Sequence, residues 1–489
     1  MLLPNTISIS RKSPVAVYLQ ISNAIINKIQ DGTLKPGGKM PSTRELSVML
    51  KVHRKTAVSA YVELEAQGWI FSDSTVGTFV NTRLPEVKPQ KWNTTEQNTG
   101  DLNSTGYTLK INTSIKTPSI TYRELTGFHD GPDVRLVPIS QLARTYKGLI
   151  SRKAWLYNLS YVDVQGNPDL RLVLSEHLNS TRGLQTTAEN IFISRGSQMG
   201  IYLAARVLVA PGDNVIVGAV NYYYADKTLI ACGARLLRVK VDDDGINVDE
   251  VEGLCKKKKI RAIYITSHHH YPTTVTLSAS KRMRLLALAE QYKFAIIEDD
   301  YDYDFHYDSN PILPLASADK HGMVIYIGTL SKTVAPSLRI GYVAAPKNLI
   351  DEFSKLRQII DVQGDPFMEK AVAELFTFGE MRRHMKKALK EYHQRRDFAC
   401  TLLKDKLGDV IDFKVPEGGL AIWSQFDKKV PLGELSEKLR RKGIILSSGL
   451  IHDPEGKKLN CTRLGFGWMN SKETEQAVKI MHDTIRKST

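Results

Sequence analysis

Two residues in the second half of the chain have types and positions suited to joint chemistry. Asp299 ends the apolar run FAIIED, and Lys332 follows the apolar run VIYIG within IYIGTLSKTVAPSLRIGY. A lysine can form an imine with a carbonyl, and a buried carboxylate can keep a ring nitrogen protonated. Hydroxyl and guanidinium donors between Ser331 and Arg339 suit a phosphate, because an Arg fork matches phosphate geometry. Gly196-Ser197-Gln198 follows the run IFIS and opens a helical pattern, so its amides could cradle the same phosphate at a helix N-terminus. These are the groups that pyridoxal 5'-phosphate requires of a protein. Each alone is a weak signal: most Ser-Lys pairs are surface residues and most Asp-Asp-Tyr runs are loops. Their order, and their placement after strands, make chance a poor account of the set.

The elements that must position these residues are short β-branched runs separated by longer helical patterns. The runs are IFIS at 191–194, NVIV at 214–217, AIYI at 262–265, FAIIED at 294–299, VIYIG at 324–328 and GYVAA at 341–345. Such alternation predicts an α/β domain with a mainly parallel sheet covered on both faces. Ligands bind such sheets at the carboxyl ends of their strands, where Asp299 stands. This domain is expected over 122–489. Residues 81–121 are rich in Asn, Thr, Ser, Lys and Pro with few large apolar residues, and read as a flexible linker.

Residues 1–80 form a third region. Ile21, Ile25 and Ile29 give one helical stripe ending near Asp31-Gly32. After the turn Leu34-Lys35-Pro36-Gly37, Ser42 and Glu45 form a capping box, and a helix runs to about Leu50. A short turn, Lys51-Val52-His53, leads to a second helix from Arg54 to about Ala66, with Ala57, Tyr61 and Leu64 inward and Gly68 terminating it. The spacing predicts a helix-turn-helix whose second helix presents Arg54, Lys55 and Thr56 to a DNA major groove. Trp69-Ile70-Phe71 and Thr78-Phe79-Val80 flank a turn at 73–77 and should form a hairpin wing, making this an α+β module.

Both regions resemble known families. PVAVYLQI, LKPGGKMPSTREL, KVHRKTAVSAYVELEAQGWI and GTFV are similar to the GntR family of winged-helix repressors across 14–80. IEDDYDYDF at 297–305, VIYIGTLSKTVAPSLRIGYV at 324–343 and RLGFG at 463–467 resemble fold type I aminotransferases, and within them the MocR subfamily of GntR regulators, in which the two modules are fused. The resemblance implies operator contacts from Arg44, Arg54, Thr56 and Gly77. It implies an aldimine to pyridoxal phosphate at Lys332, Asp299 on the pyridinium nitrogen, Tyr301 on the ring 3'-oxygen, and Arg339, Thr329, Ser331, Ser197 and Gln198 in the cofactor set. Tyr223 matches the stacking aromatic and Arg463 the receptor for a carboxylate of an amino-compound effector. A homodimer with swapped domains is also implied.

The chain departs from the subfamily pattern in two places. A Pro-Gly-Tyr is replaced by Asn221-Tyr222-Tyr223, so the stacking ring is one of Tyr222, Tyr223 and Tyr224. In the loop Ser267-His268-His269-His270-Tyr271-Pro272-Thr273-Thr274, His270 stands for a glutamine and Thr274 for a glycine. His269 is expected to form a polar wall of the pocket. Three adjacent histidines do not make a metal site, because neighbouring side chains diverge and no second ligand cluster is visible.

Composition sets the outer limits. At 489 residues at least two domains are expected. Net charge is +15, and residues 1–83 hold ten Lys and Arg against five Asp and Glu, which permits nucleic acid binding without establishing it. No apolar run is long enough to span a membrane and the first residues lack a secretory pattern, so a cytoplasmic location is expected. Cys232, Cys255, Cys400 and Cys461 are widely spaced and should be reduced and buried. The leading expectation is a regulator that senses an amino compound, or pyridoxal phosphate itself. Two rivals remain open at this point: a working aminotransferase with a secondary DNA-binding module, and a cofactor-free dimerisation scaffold.

Overall fold

Ile21, Ile25 and Ile29 fall on one face of the helix Val17–Gln30, and with Ile26 they meet Leu46, Ala57, Tyr61, Leu64, Trp69 and Val80 in one buried cluster. In the computed structural model, which describes residues 7–73, 75–84, 105, 107–109, 126–151, 156, 159–307, 312–457 and 459–487, the chain divides into two units, Met1–Asn112 and Thr113–Thr489. The linker expected over 81–121 lies for the most part outside the described residues.

In the first unit the helix Thr43–Met49 begins with the expected capping box: the Ser42 amide donates to Glu45 Oε2 at 2.7 Å, and the Glu45 amide donates to Ser42 Oγ at 3.2 Å. Satisfying two orphan amides fixes where this helix starts. The helix Arg54–Ala66 buries Ala57, Ala60, Tyr61 and Leu64, and the Tyr61 hydroxyl donates to the Pro41 carbonyl at 2.6 Å, tying it to the chain before the preceding helix. Ile70–Asp73 and Gly77–Val80 pair antiparallel, Ile70 opposite Val80 and Asp73 opposite Gly77. The Asp73 carboxylate closes the turn by accepting from the amides of Thr75 and Val76.

The second unit is organised by a seven-stranded sheet in the spatial order Ile191–Ser194, Gly341–Ala344, Val324–Thr329, Ala295–Asp300, Ile260–Ile265, Asn214–Gly218, Arg235–Val239. Gly341–Ala344 runs antiparallel to both its neighbours; the other pairings are parallel. Alternate residues feed different cores. Ile325 and Ile327 join the cluster under the helix Ser197–Leu208, while Tyr326 packs with Leu174, Leu178 and Ala371 on the opposite face. Burial on both faces explains why these strands read as continuous apolar runs. The edge strand Arg235–Val239 escaped the sequence reading because Arg235 and Arg238 break its apolar pattern.

A second, antiparallel sheet of Ile411–Phe413, Ala421–Phe426 and Cys461–Gly465 packs with the helices Glu380–Leu407 and Ser471–Arg486 over a separate apolar core. It was not foreseen as a sheet, yet it carries Arg463. All four cysteines are free and buried.

Candidate functional site

Asp299 and Lys332 are delivered by neighbouring parallel strands. Asp299 sits opposite Ile327 in the pairing of Ala295–Asp300 with Val324–Thr329, and Lys332 follows three residues beyond the latter strand. Asp299 is buried, and its Oδ2 accepts from the Tyr264 hydroxyl at 2.7 Å, whereas Oδ1 is buried with no hydrogen-bond partner. Burial pushes the carboxyl up to about 7; the Tyr264 hydrogen bond opposes this, and the charges of Asp300 and Asp302 reinforce it. A buried oxygen without a donor is uncommon and destabilising, and it suits an incoming ring N–H. The Lys332 Nζ donates to the Asp130 carbonyl at 2.5 Å.

The groups expected at a phosphate converge where the helix Ser197–Leu208 begins. Gly196 precedes it at φ 75°, and Arg339, itself in the left-handed region at φ 53°, donates from Nη2 to the Arg195 carbonyl at 2.9 Å. A Cβ at Gly196 would come within 2.8 Å of that guanidinium, so only glycine lets the fork lie against the turn. The helix terminus and Arg339 both favour an anion here. Thr329 Oγ1 donates to Ser331 Oγ at 3.0 Å and accepts from the Ser331 amide at 3.1 Å, orienting the loop that leads to Lys332. Gln198 Nε2 donates to Thr228 Oγ1 at 2.7 Å, leaving its buried Oε1 without a partner.

On the other side stands Arg463, buried, with Nε donating to Asp130 Oδ2 at 3.0 Å, Nη1 to the Pro272 carbonyl at 3.1 Å, and its charge 4.5 Å from the Tyr271 ring centroid. Burial pushes the Asp130 carboxyl up, but the charges of Lys332 and Arg463 outweigh it and hold the group at about 2. Neither Asp130 nor Tyr264 was singled out by sequence reasoning. Asp130 lies in HDGPD, which reads as a turn, and Tyr264 in AIYI, which reads as core.

Residues 157–480 match the aminotransferase class I and II family. The chain belongs to that family. Residues 17–80 match bacterial regulatory proteins of the gntR family. Over its length the chain is similar to an uncharacterized HTH-type transcriptional regulator, YisV, of Bacillus subtilis, 27% identical over 482 residues and 98% of each chain. It is also similar to the probable rhizopine catabolism regulatory protein MocR of Rhizobium meliloti, 26% identical over 484 residues, 98% of this chain and 95% of the other. The crystal structure of a multiple substrate aminotransferase from Thermococcus profundus matches with a TM-score of 0.69 at 26% identity, over 75% of this chain and 92% of that one. The expected fusion of a GntR module to a fold type I aminotransferase domain is thereby borne out, as is the MocR resemblance. The class I and II aminotransferases are a pyridoxal-phosphate-dependent family.

Several features of this aminotransferase domain refine the expectations. The phenol that feels the charges of Asp299, Asp130 and Arg339 is that of Tyr222, and its ring meets Tyr271 edge-on at 5.2 Å. Tyr223, the matching position in sequence, instead has Lys227 5.2 Å from its ring centroid. The Tyr301 hydroxyl donates to the His269 carbonyl at 2.9 Å. The three histidines have separate hydrogen-bond partners: His268 Nε2 contacts the Ile312 carbonyl, His269 Nδ1 meets Asp302 Oδ1 at 2.8 Å, and His270 Nδ1 meets Thr273 Oγ1 at 2.9 Å. Contrary to the expected divergence, the His268 and His269 rings both pack on His306, at 5.7 and 4.8 Å. Among the described residues no group of three His, Cys, Asp or Glu is placed to hold a metal. Thr274, standing where the subfamily has glycine, adopts φ 63°.

In the GntR module, Arg44, Arg54 and Lys55 are exposed and Thr56 is half-buried, with Arg54, Lys55 and Thr56 in the first turn of their helix. The His53 ring caps that helix by accepting from the Lys55 amide at 3.2 Å. Gly77 opens the second wing strand at φ 121°, beside Lys39. Among the described residues no helix is long and apolar enough to cross a membrane.

Proposed function

We propose that this protein is a cytoplasmic, homodimeric transcription regulator that binds operator DNA through Arg44, Arg54, Lys55, Thr56 and Gly77 and uses its aminotransferase domain to sense an amino compound, or pyridoxal phosphate itself. The observation that carries the cofactor reading is the buried Asp299, its Oδ1 unpartnered, on the strand beside the one that leads to Lys332. The regulatory reading is supported by a complete winged-helix module in the same chain and by full-length similarity to regulators.

When bound, pyridoxal phosphate supplies a carbonyl that condenses reversibly with amines and a ring that withdraws electrons. Asp299 would hold the ring nitrogen and keep its proton, with Tyr264 fixing the carboxylate by its hydroxyl. Arg339, Ser331, Thr329, Ser197 and Gln198 would hold the phosphate. Lys332 would be the attachment point, and one of Tyr222, Tyr223 and Tyr224 would cover the ring. Operator affinity responds to a ligand only if that ligand binds the DNA-competent and DNA-incompetent arrangements unequally.

The experiment is a visible absorption titration of the purified protein with pyridoxal phosphate, followed by a panel of amines, in parallel with binding to DNA fragments that the protein selects from a random pool. A cofactor band that one amine shifts and holds, with a change in DNA affinity, supports sensing. Rapid conversion of the cofactor to its amine form, reversed by a keto acid and without effect on DNA, would make transamination the activity instead.

A further inference from the structure

The carboxylate nearest Arg463 belongs to the protein. Asp130 touches both groups that an amino compound would need: its carbonyl accepts from Lys332 Nζ at 2.5 Å and its Oδ2 accepts from Arg463 Nε at 3.0 Å. It therefore lies between the amine-reactive lysine and the guanidinium expected to receive a ligand's carboxylate. We propose that Asp130 is a specificity-determining residue that occupies the carboxylate seat on Arg463, so that the site takes primary amines lacking an acidic group. This rests on the cofactor reading above.

Three observations carry the inference. Arg463 is buried, and a buried guanidinium needs a counter-charge, which Asp130 already supplies. Its Nε is engaged by Asp130, its Nη1 by the Pro272 carbonyl, and its face lies on Tyr271, so a second carboxylate cannot take the Nε–Nη2 edge as a two-pronged pair while Asp130 holds Nε. The segment bearing Asp130 is clamped on both sides. The Phe128 amide donates to the Ile445 carbonyl, the Gly465 amide to the Phe128 carbonyl, and the Asp133 amide to the Tyr392 hydroxyl oxygen, at 3.0, 3.3 and 3.0 Å. A Cβ at Gly465 would meet the His129 carbonyl at 1.7 Å, so the strand carrying Arg463 and the segment carrying Asp130 are in direct backbone contact. The backbone of Asp130 is therefore held, and an acidic ligand must share one guanidinium with its carboxylate or turn that side chain away. Two carboxylates on one guanidinium repel each other, and the second gains less from a charge that the first has already neutralised.

The test compares n-butylamine and 1,4-diaminobutane with alanine and 4-aminobutanoate, using the cofactor absorption band of the full-length protein to read apparent Kd. The wild type should favour the two amines by at least tenfold, and Asp130→Asn should narrow or reverse that preference. Equal wild-type affinity for amines and amino acids, or an unchanged ratio in Asp130→Asn, would overturn the proposal. The wild-type ratio decides even if the variant fails to fold. A second readout needs no cofactor: calorimetric titration of the cofactor-free protein with propanoate should show binding at least tenfold tighter in Asp130→Asn than in wild type. Failure to take up pyridoxal phosphate at all would instead remove the cofactor reading, leaving the propanoate result to judge Asp130 alone.

Discussion

Above pH 7, replacing Asp299 with Asn should push the protein's own stability and its hold on the cofactor in opposite directions. The carboxyl sits at about 7 in the folded chain against 3.8 for an ordinary Asp, because burial leaves Oδ1 without a donor. A raised carboxyl favours the fold fully below pH 3.8, and that advantage is lost as pH rises to 7, after which the penalty is constant. At about 1.4 kcal/mol per unit the full penalty is at most about 4 kcal/mol, and about 3 kcal/mol of it develops between pH 5 and pH 7. Asn has no such titration, although its buried amide lacks a partner and costs about 1–3 kcal/mol at every pH. The effect of Asp299→Asn on the cofactor-free protein should therefore become more favourable by up to about 3 kcal/mol between pH 5 and pH 8, roughly 5 °C in Tm, and stay level from pH 8 to 9. Loss of a charge-assisted hydrogen bond should weaken pyridoxal phosphate binding by about 10- to 100-fold. Thermal melts at pH 5, 8 and 9 and a cofactor titration at pH 8 measure both. A stability difference that is the same at pH 5 and pH 8 would refute the argument that Asp299 carries an uncompensated charge in the cofactor-free fold.

Other substitutions test the remaining parts. Lys332→Ala should abolish borohydride-fixable cofactor while leaving the protein folded, as judged by mass spectrometry and circular dichroism. Arg54→Ala should weaken binding to selected DNA while leaving the cofactor spectrum unchanged; unchanged affinity would point to a different reading helix. Thr274→Gly should raise stability by roughly 0.5–1 kcal/mol, since a left-handed Cβ costs about 1–2 kcal/mol and glycine's greater unfolded freedom returns part of it. Ser42→Ala should lower the stability of the first unit by about 1 kcal/mol through loss of its capping box, measured by denaturant titration.

The parts legible in sequence are those whose signal is local. Ser42 and Glu45 are three residues apart and cap one helix; Ile21, Ile25 and Ile29 share one face; FAII and VIYI lie in strands buried on both sides and so are continuous runs of large apolar and aromatic residues. Asp299 and Lys332 could be paired from sequence because each follows a run that had to be a strand, and neighbouring parallel strands place their carboxyl ends together. Tyr264 was hidden in a strand because its ring is core while only its hydroxyl reaches Asp299, across the pairing of two strands, 35 positions away. The choice among Tyr222, Tyr223 and Tyr224 turns on where the helix Tyr223–Ala231 starts, and helix starts are poorly fixed without a capping side chain, which this helix lacks. Asp130 was least visible, since its partners Lys332 and Arg463 are 202 and 333 positions away and meet it only after the two sheets have formed. A residue whose role comes wholly from such contacts leaves no periodicity to read. Yet it is this carboxylate, set against an arginine that family resemblance alone would assign to an amino acid's carboxylate, that most changes which ligands the site should accept.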